Sequence, residues 1–127
     1  MSHLGKAEIG IDEKNCKKDL MIAAFKLLEL EGCRLGKSVR NRYVDQKVEL
    51  SIHTDDFSTG IGITEEKGEV VLVSDPYGMR AGYSSLVGRI KKAYTEVATK
   101  RVLGNMGYKI MSTFTPQRDR KLVATKG

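Results

Sequence analysis

The chain has no tryptophan, five tyrosines and three phenylalanines, so it lacks the aromatic surface on which proteins stack single-stranded bases. Its two cysteines, Cys16 and Cys33, are too few for a disulfide framework and show no CxxC spacing. They fit a reducing compartment as ordinary thiols; with only His3 and His53 as nitrogen partners, neither a redox pair nor a metal site is expected from them. Two prolines and no low-complexity run exclude a proline-rich linker and long disorder. The longest apolar run, Leu20 to Phe25, is ended by Lys26, far short of the roughly 20 residues that cross a bilayer. Residues Met1 to Asp12 lack the basic start and apolar centre of a secretory signal, so a cytoplasmic location without membrane contact is expected.

What is present is ordinary for a globular protein, with 40% hydrophobic and 30% charged residues over 127 positions, enough for one core and a single domain spanning 1–127. Twenty-two Lys and Arg against sixteen Asp and Glu give a net charge of +6. That balance favours anionic partners such as RNA, DNA or an acidic protein surface.

Periodicity along the chain predicts nine elements. Lys6 to Ile11 reads as a first strand, and Asp12 or Asn15 as the cap of a helix. That helix carries Leu20, Ala24, Leu27 and Leu28 on one face, with Met21 and Phe25 beside them, and ends at Gly32. Cys33 to Arg40 and Tyr43 to His53 follow as strands, the second alternating Val48, Leu50 and Ile52 with Lys47, Glu49 and Ser51, which predicts one wet face. Thr59 to Thr64 and Glu69 to Ser74 read as a hairpin in which Gly68 supplies a positive φ. After the turn Asp75-Pro76-Tyr77-Gly78, a helix is expected from a cap at Ser84, with Tyr83, Leu86, Val87, Ile90, Tyr94, Val97 and Ala98 inward and Arg89, Lys92, Glu96 and Lys100 outward, ending at Gly104 or Gly107. A strand from Tyr108 to Phe114, a turn at Pro116 to Asp119 and a strand from Lys121 to Thr125 complete the order β-α-β-β-β-β-α-β-β. Adjacent hairpins and only two helices predict an α+β two-layer sandwich, a mostly antiparallel sheet with both helices on one face. Each helix is followed by a glycine, a strand, a basic turn and a strand, an echo that two copies of a common motif explain as well as duplication does.

Motifs are few. Gly32-Cys33-Arg34-Leu35-Gly36-Lys37-Ser38 is one residue short of a P-loop and runs from helix to strand rather than from strand to helix, so no nucleotide site is expected there. Gly60-Ile61-Gly62 lies on a strand without the helix of a dinucleotide site and is expected to let another group approach closely. Asp55-Asp56 has no third ligand at metal spacing. His53, with Ser51 and Asp55 on its face by alternation, is the place for a general base, and Asp75 is a second titratable candidate; neither has a nucleophile elbow or oxyanion glycines beside it, so no catalytic residue and no cofactor is assigned. The functional candidates that remain are basic: Lys37, Arg40 and Arg42; Arg89, Lys92, Lys100 and Arg101; Arg118, Arg120 and Lys121. Gathered on one side they would neutralise several phosphates; dispersed they are a solvated surface.

Met1-Ser2-His3, the Gly60-Ile61-Gly62-Ile63 strand, Val71-Leu72-Val73-Ser74-Asp75 leading into Tyr77-Gly78, a helix with Tyr94, and Gly107 before a final hairpin resemble, in layout, the plastid and cyanobacterial open-reading-frame 35 proteins, domain of unknown function 1257. The resemblance covers nearly the whole chain, although members usually have tryptophan where Tyr77 stands. It implies a small α+β accessory protein and brings no catalytic residues. Two functions follow as expectations: a non-enzymatic adaptor or subunit that binds a protein partner or its own copy, and alternatively a phosphate-contacting RNA- or DNA-binding protein using the basic residues.

Overall fold

A computed structural model describes residues 5–6, 16–40, 45–75, 79–114 and 120–126, with side chains described in 16–40, 45–75 and 79–107. The fold is α+β: β1 (Gly5–Lys6), α1 (Lys18–Leu30), β2 (Arg34–Arg40), β3 (Asp45–Thr54), β4 (Phe57–Glu66), β5 (Glu69–Ser74), α2 (Arg80–Asn105), β6 (Tyr108–Phe114) and β7 (Arg120–Lys126). Strands β1-β5-β4-β3-β2 form an antiparallel sheet in that order, and β6 pairs with β7 in a two-stranded sheet. By Cα packing the chain divides into two units, Met1–Tyr94 and Thr95–Gly127.

In the first unit, α1 buries Leu20, Met21, Ala24, Phe25 and Leu28, the stripe its periodicity predicts. Its end is a Schellman motif: Cys33 N–H donates to Leu28 O at 3.1 Å, Gly32 N–H donates to Glu29 O at 3.0 Å, and Gly32 takes φ +103°. Its start differs from expectation. Asp12 and Asn15 lie outside the described residues, and the capping position falls to Lys17, which makes no side-chain cap bond. Lys17 instead donates its backbone N–H to Tyr94 Oη at 2.9 Å, which ties the start of α1 to α2.

The β4–β5 hairpin turns on Lys67 (φ 53°) and Gly68 (φ 79°), two left-handed residues that match the twist of the strands they join. Helix α2 begins at Arg80, four residues ahead of the expected cap, and Ser84 lies exposed within it. Leu86, Ile90, Ala93 and Tyr94 are buried. The helix can start close to the sheet because Gly82 has no side chain: a Cβ there would collide with the carbonyl oxygen of Asp56 in the β3–β4 turn. Phe57 meets Tyr83 edge-on, centroids 5.6 Å apart.

The wet face expected for β3 is present along its first half, where Asp45, Lys47 and Glu49 are exposed, and it closes at Ser51. Ser51 is fully buried, and the consecutive residues Val70, Val71, Leu72 and Val73 are buried, which places cover over both sides of β5. The cause is curl. Flat neighbouring strands lie about 4.8 Å apart, so β2 and β5, three places apart, would be about 14 Å from each other. Cα atoms of β2 instead come within 8 Å of both β4 and β5. Register shifts between Gly36 and Ser38 and between Ile52 and Thr54 bend the strands. Glycines leave room inside the bend: the space of a side chain at Gly62 is filled by Val39 and Val48. This is the close approach expected of Gly60-Ile61-Gly62.

In the second unit α2 ends at Asn105, Gly107 takes φ +88°, and β6 runs antiparallel to β7 from Tyr108 opposite Lys126 to Phe114 opposite Arg120. Glu96, expected outward, is buried, whereas Val102 and Met106 are exposed.

Candidate functional site

The polar cluster of the first unit is built on β3. Residues two apart on a strand share a face, and this brings Ser51 Oγ to 2.7 Å from His53 Nε2. His53 Nδ1 lies 2.8 Å from the backbone oxygen of Ser58. A carbonyl can only accept, so Nδ1 carries a proton and donates to Ser58 O, while Nε2 and the Ser51 hydroxyl share the second bond. Ser58 reaches the ring because β4 is bulged beside it, with Gly60 at φ +89°. The imidazole fills the space over Gly60, where a Cβ would lie 2.5 Å from Nδ1.

A serine hydrogen-bonded to an imidazole whose other nitrogen is fixed has the connectivity of a nucleophile and its base. Exposure decides against that chemistry. Ser51 is fully buried, and Gly36 stands opposite it on β2, so close that a Cβ at Gly36 would be 3.1 Å from Ser51 Oγ. No substrate carbonyl reaches the hydroxyl, and both ring nitrogens are engaged. The cluster is a clamp that ties β4 to β3 at the bend. Asp55, expected on the same face, points elsewhere: it accepts from Arg34 Nη1 at 2.6 Å, in a pair whose side chains are 56% and 92% exposed. Asp75 follows β5, half-buried.

Beside the clamp, along the outer strand β2, runs an open cavity of about 340 Å³ lined by Arg34, Gly36, Ser38, Arg40, Asp45 and His53 among others. No strand pairs with the outer side of β2 among the described residues. A second cavity of about 480 Å³ lies at the start of α2, between Asp56 and Arg80.

The basic candidates do not form one described group. Lys37 and Arg40 are exposed on β2, Lys92 is exposed and Arg89 half-buried on α2 in the first unit. Lys100 and Arg101 belong to the second unit, as do Arg120 and Lys121 in β7, whereas Arg42 and Arg118 lie outside the described residues. Sequence reasoning passed over Arg34 because it sat inside a string judged only as a failed P-loop. The β2–β3 register sets Arg34 opposite His53, a relation that spacing within one strand does not carry.

Among the described residues three groups are perturbed. Burial pushes the Cys33 thiol up, against the nearby positive charge of Arg89. Burial also raises Tyr94, although the Lys17 N–H bond favours its ionised form. Lys18 is raised by hydrogen bonds to Glu65 and Glu49, at 2.9 and 3.2 Å as ion pairs. No group of three or more His, Cys, Asp or Glu side chains that could hold a metal occurs among the described residues, and no described helix is long and apolar enough to cross a membrane.

No family model, curated protein or solved structure matches the chain.

Proposed function

We propose that the chain is a non-enzymatic protein-binding module that takes an extended segment of another protein as an added strand along β2. The observation that carries this is the edge itself. Seven residues, Arg34–Arg40, pair only with β3 among the described residues and border an open cavity. An unpaired edge supplies main-chain donors and acceptors for a guest strand, and a cavity beside it receives alternate guest side chains and so gives selectivity. An accessory role is also what the layout resemblance implies.

The test is selection of extended seven-residue segments from a random displayed library against the whole chain, followed by amide hydrogen exchange with and without the selected peptides. Slowed exchange at β2 amides is the expected result. Peptides that bind yet leave β2 exchange unchanged, or a selection that returns no binder, would overturn it.

A further inference from the structure

The sequence of the edge narrows the guest. β2 reads Arg-Leu-Gly-Lys-Ser-Val-Arg, with cations at its first, fourth and seventh positions and no acid. All three cations are exposed. Lys37 and Arg40 make no ion pair among the described residues, and the carboxylate that Arg34 holds belongs to Asp55, a residue 92% exposed in a turn. Arg34 therefore already grips a carboxylate at the margin of the sheet, in water, where an incoming carboxylate can replace it.

The same spacing disfavours a second copy of the chain paired symmetrically at this edge. Two β2 strands paired antiparallel about a two-fold axis through Lys37 would set Lys37 against Lys37 and Arg34 against Arg40 at both ends. Like charges directly opposite each other on paired strands repel. Edge cations are a common guard against self-association, and discrimination of this kind works by repelling the wrong partner while attracting the right one.

We infer that the guest at β2 is an acidic extended segment of another protein, with carboxylates at its first, fourth and seventh positions to face Arg40, Lys37 and Arg34. This rests on strand addition at β2. Seven residues of strand span about 20 Å, so the three carboxylates sit about 10 Å apart and each meets one cation.

The experiment uses the full chain and three fluorescein-labelled peptides of one pattern: Glu-Thr-Val-Glu-Thr-Val-Glu, its Gln version and its Lys version. Anisotropy is read at low and near-physiological salt, with amide exchange of β2 in parallel. The Glu peptide is expected to bind at least tenfold tighter than the Gln peptide, to weaken with salt and to protect β2. The double variant Lys37→Glu/Arg40→Glu is expected to prefer the Lys peptide, and Lys37→Gln/Arg40→Gln to lose the preference while keeping its urea midpoint. Equal binding of Glu and Gln peptides, both protecting β2, would overturn the acidic guest and leave strand addition standing. Failure of all three peptides to protect β2, when library-selected segments do protect it, would also overturn the acidic guest. Failure of every segment, selected ones included, removes strand addition itself. Glu-peptide binding without β2 protection, or displacement of that peptide by a single-stranded RNA that binds tighter with a steep salt slope, would overturn the acidic guest in favour of unspecific or nucleic-acid binding.

Discussion

The imidazole of His53 stands where a side chain at Gly60 would be, and Gly60 itself adopts φ +89°. Both facts forbid a larger residue, one by collision and one by backbone strain. Gly60→Ala is therefore expected to cost about 2–4 kcal/mol. Urea denaturation checks this, and adding His53→Ala should recover only the collision share. Full recovery in the double variant would mean that the backbone is not strained at Gly60.

Ser51 and His53 share one part-buried bond, so their contributions are not additive. Ser51→Ala leaves Nε2 without its partner and is expected to cost about 1–3 kcal/mol. The double variant Ser51→Ala/His53→Ala should cost less than the sum of the single variants, by about 0.5–3 kcal/mol of coupling. A coupling near zero would remove the clamp from the account of the bend.

The glycines of α2 separate a packing effect from a propensity effect. Gly88 has open space where a Cβ would go, and Gly88→Ala is expected to stabilise by about 0.5–1 kcal/mol through helix propensity alone. At Gly82 the same gain is opposed by the backbone of Asp56, which cannot swing aside as a side chain can. Gly82→Ala is expected to destabilise by about 1–3 kcal/mol. Thermal unfolding of the two variants should therefore move Tm in opposite directions, and a shift of the same sign would place the start of α2 further from the β3–β4 turn.

This contrast also shows why some of the structure was legible in sequence and some was not. The Lys67-Gly68 turn, the Gly32 helix stop and the buried stripe of α1 depend on residues within a few positions of each other, and each was readable from spacing. Gly82 looked like a loop residue ahead of a cap at Ser84, because its reason for being glycine is Asp56, distant in sequence. The burial of Ser51 failed for the same cause. Alternation assigned it to a polar face, and nothing local could tell that Gly36 would stand opposite it. The pairing of His53 with Ser51 was visible as a period of two, but its bond to Ser58 O depends on a bulge. The β2 edge stayed hidden because which strand ends a sheet is a property of topology.

Tyr94 ties α2 to the start of α1 by accepting the backbone N–H of Lys17. Tyr94→Phe keeps the ring and removes the acceptor, so a part-buried N–H loses its partner. A loss of about 1–2 kcal/mol is expected, together with faster amide exchange at the first turn of α1. Unchanged exchange there would mean that water replaces the phenol without cost.

Alkaline stability follows from the three perturbed groups, and all act with one sign. Cys33, Tyr94 and Lys18 are each raised in the folded chain above their ordinary values of 9.0, 10.0 and 10.5, so the folded state holds these protons more tightly than the unfolded state. The stability they contribute is complete below the ordinary values and is lost as pH rises through the folded ones. The urea midpoint should hold level up to about pH 9, where Cys33 would first ionise in the unfolded chain, and fall beyond it. Cys33→Ala changes the level at every pH by altering packing, so the slope is the informative quantity. Between pH 9 and 10 the variant's slope should be shallower than that of the parent chain. Equal slopes would mean that the buried thiol releases its proton as readily folded as unfolded, and the early part of the alkaline loss would then have to come from Tyr94 and Lys18.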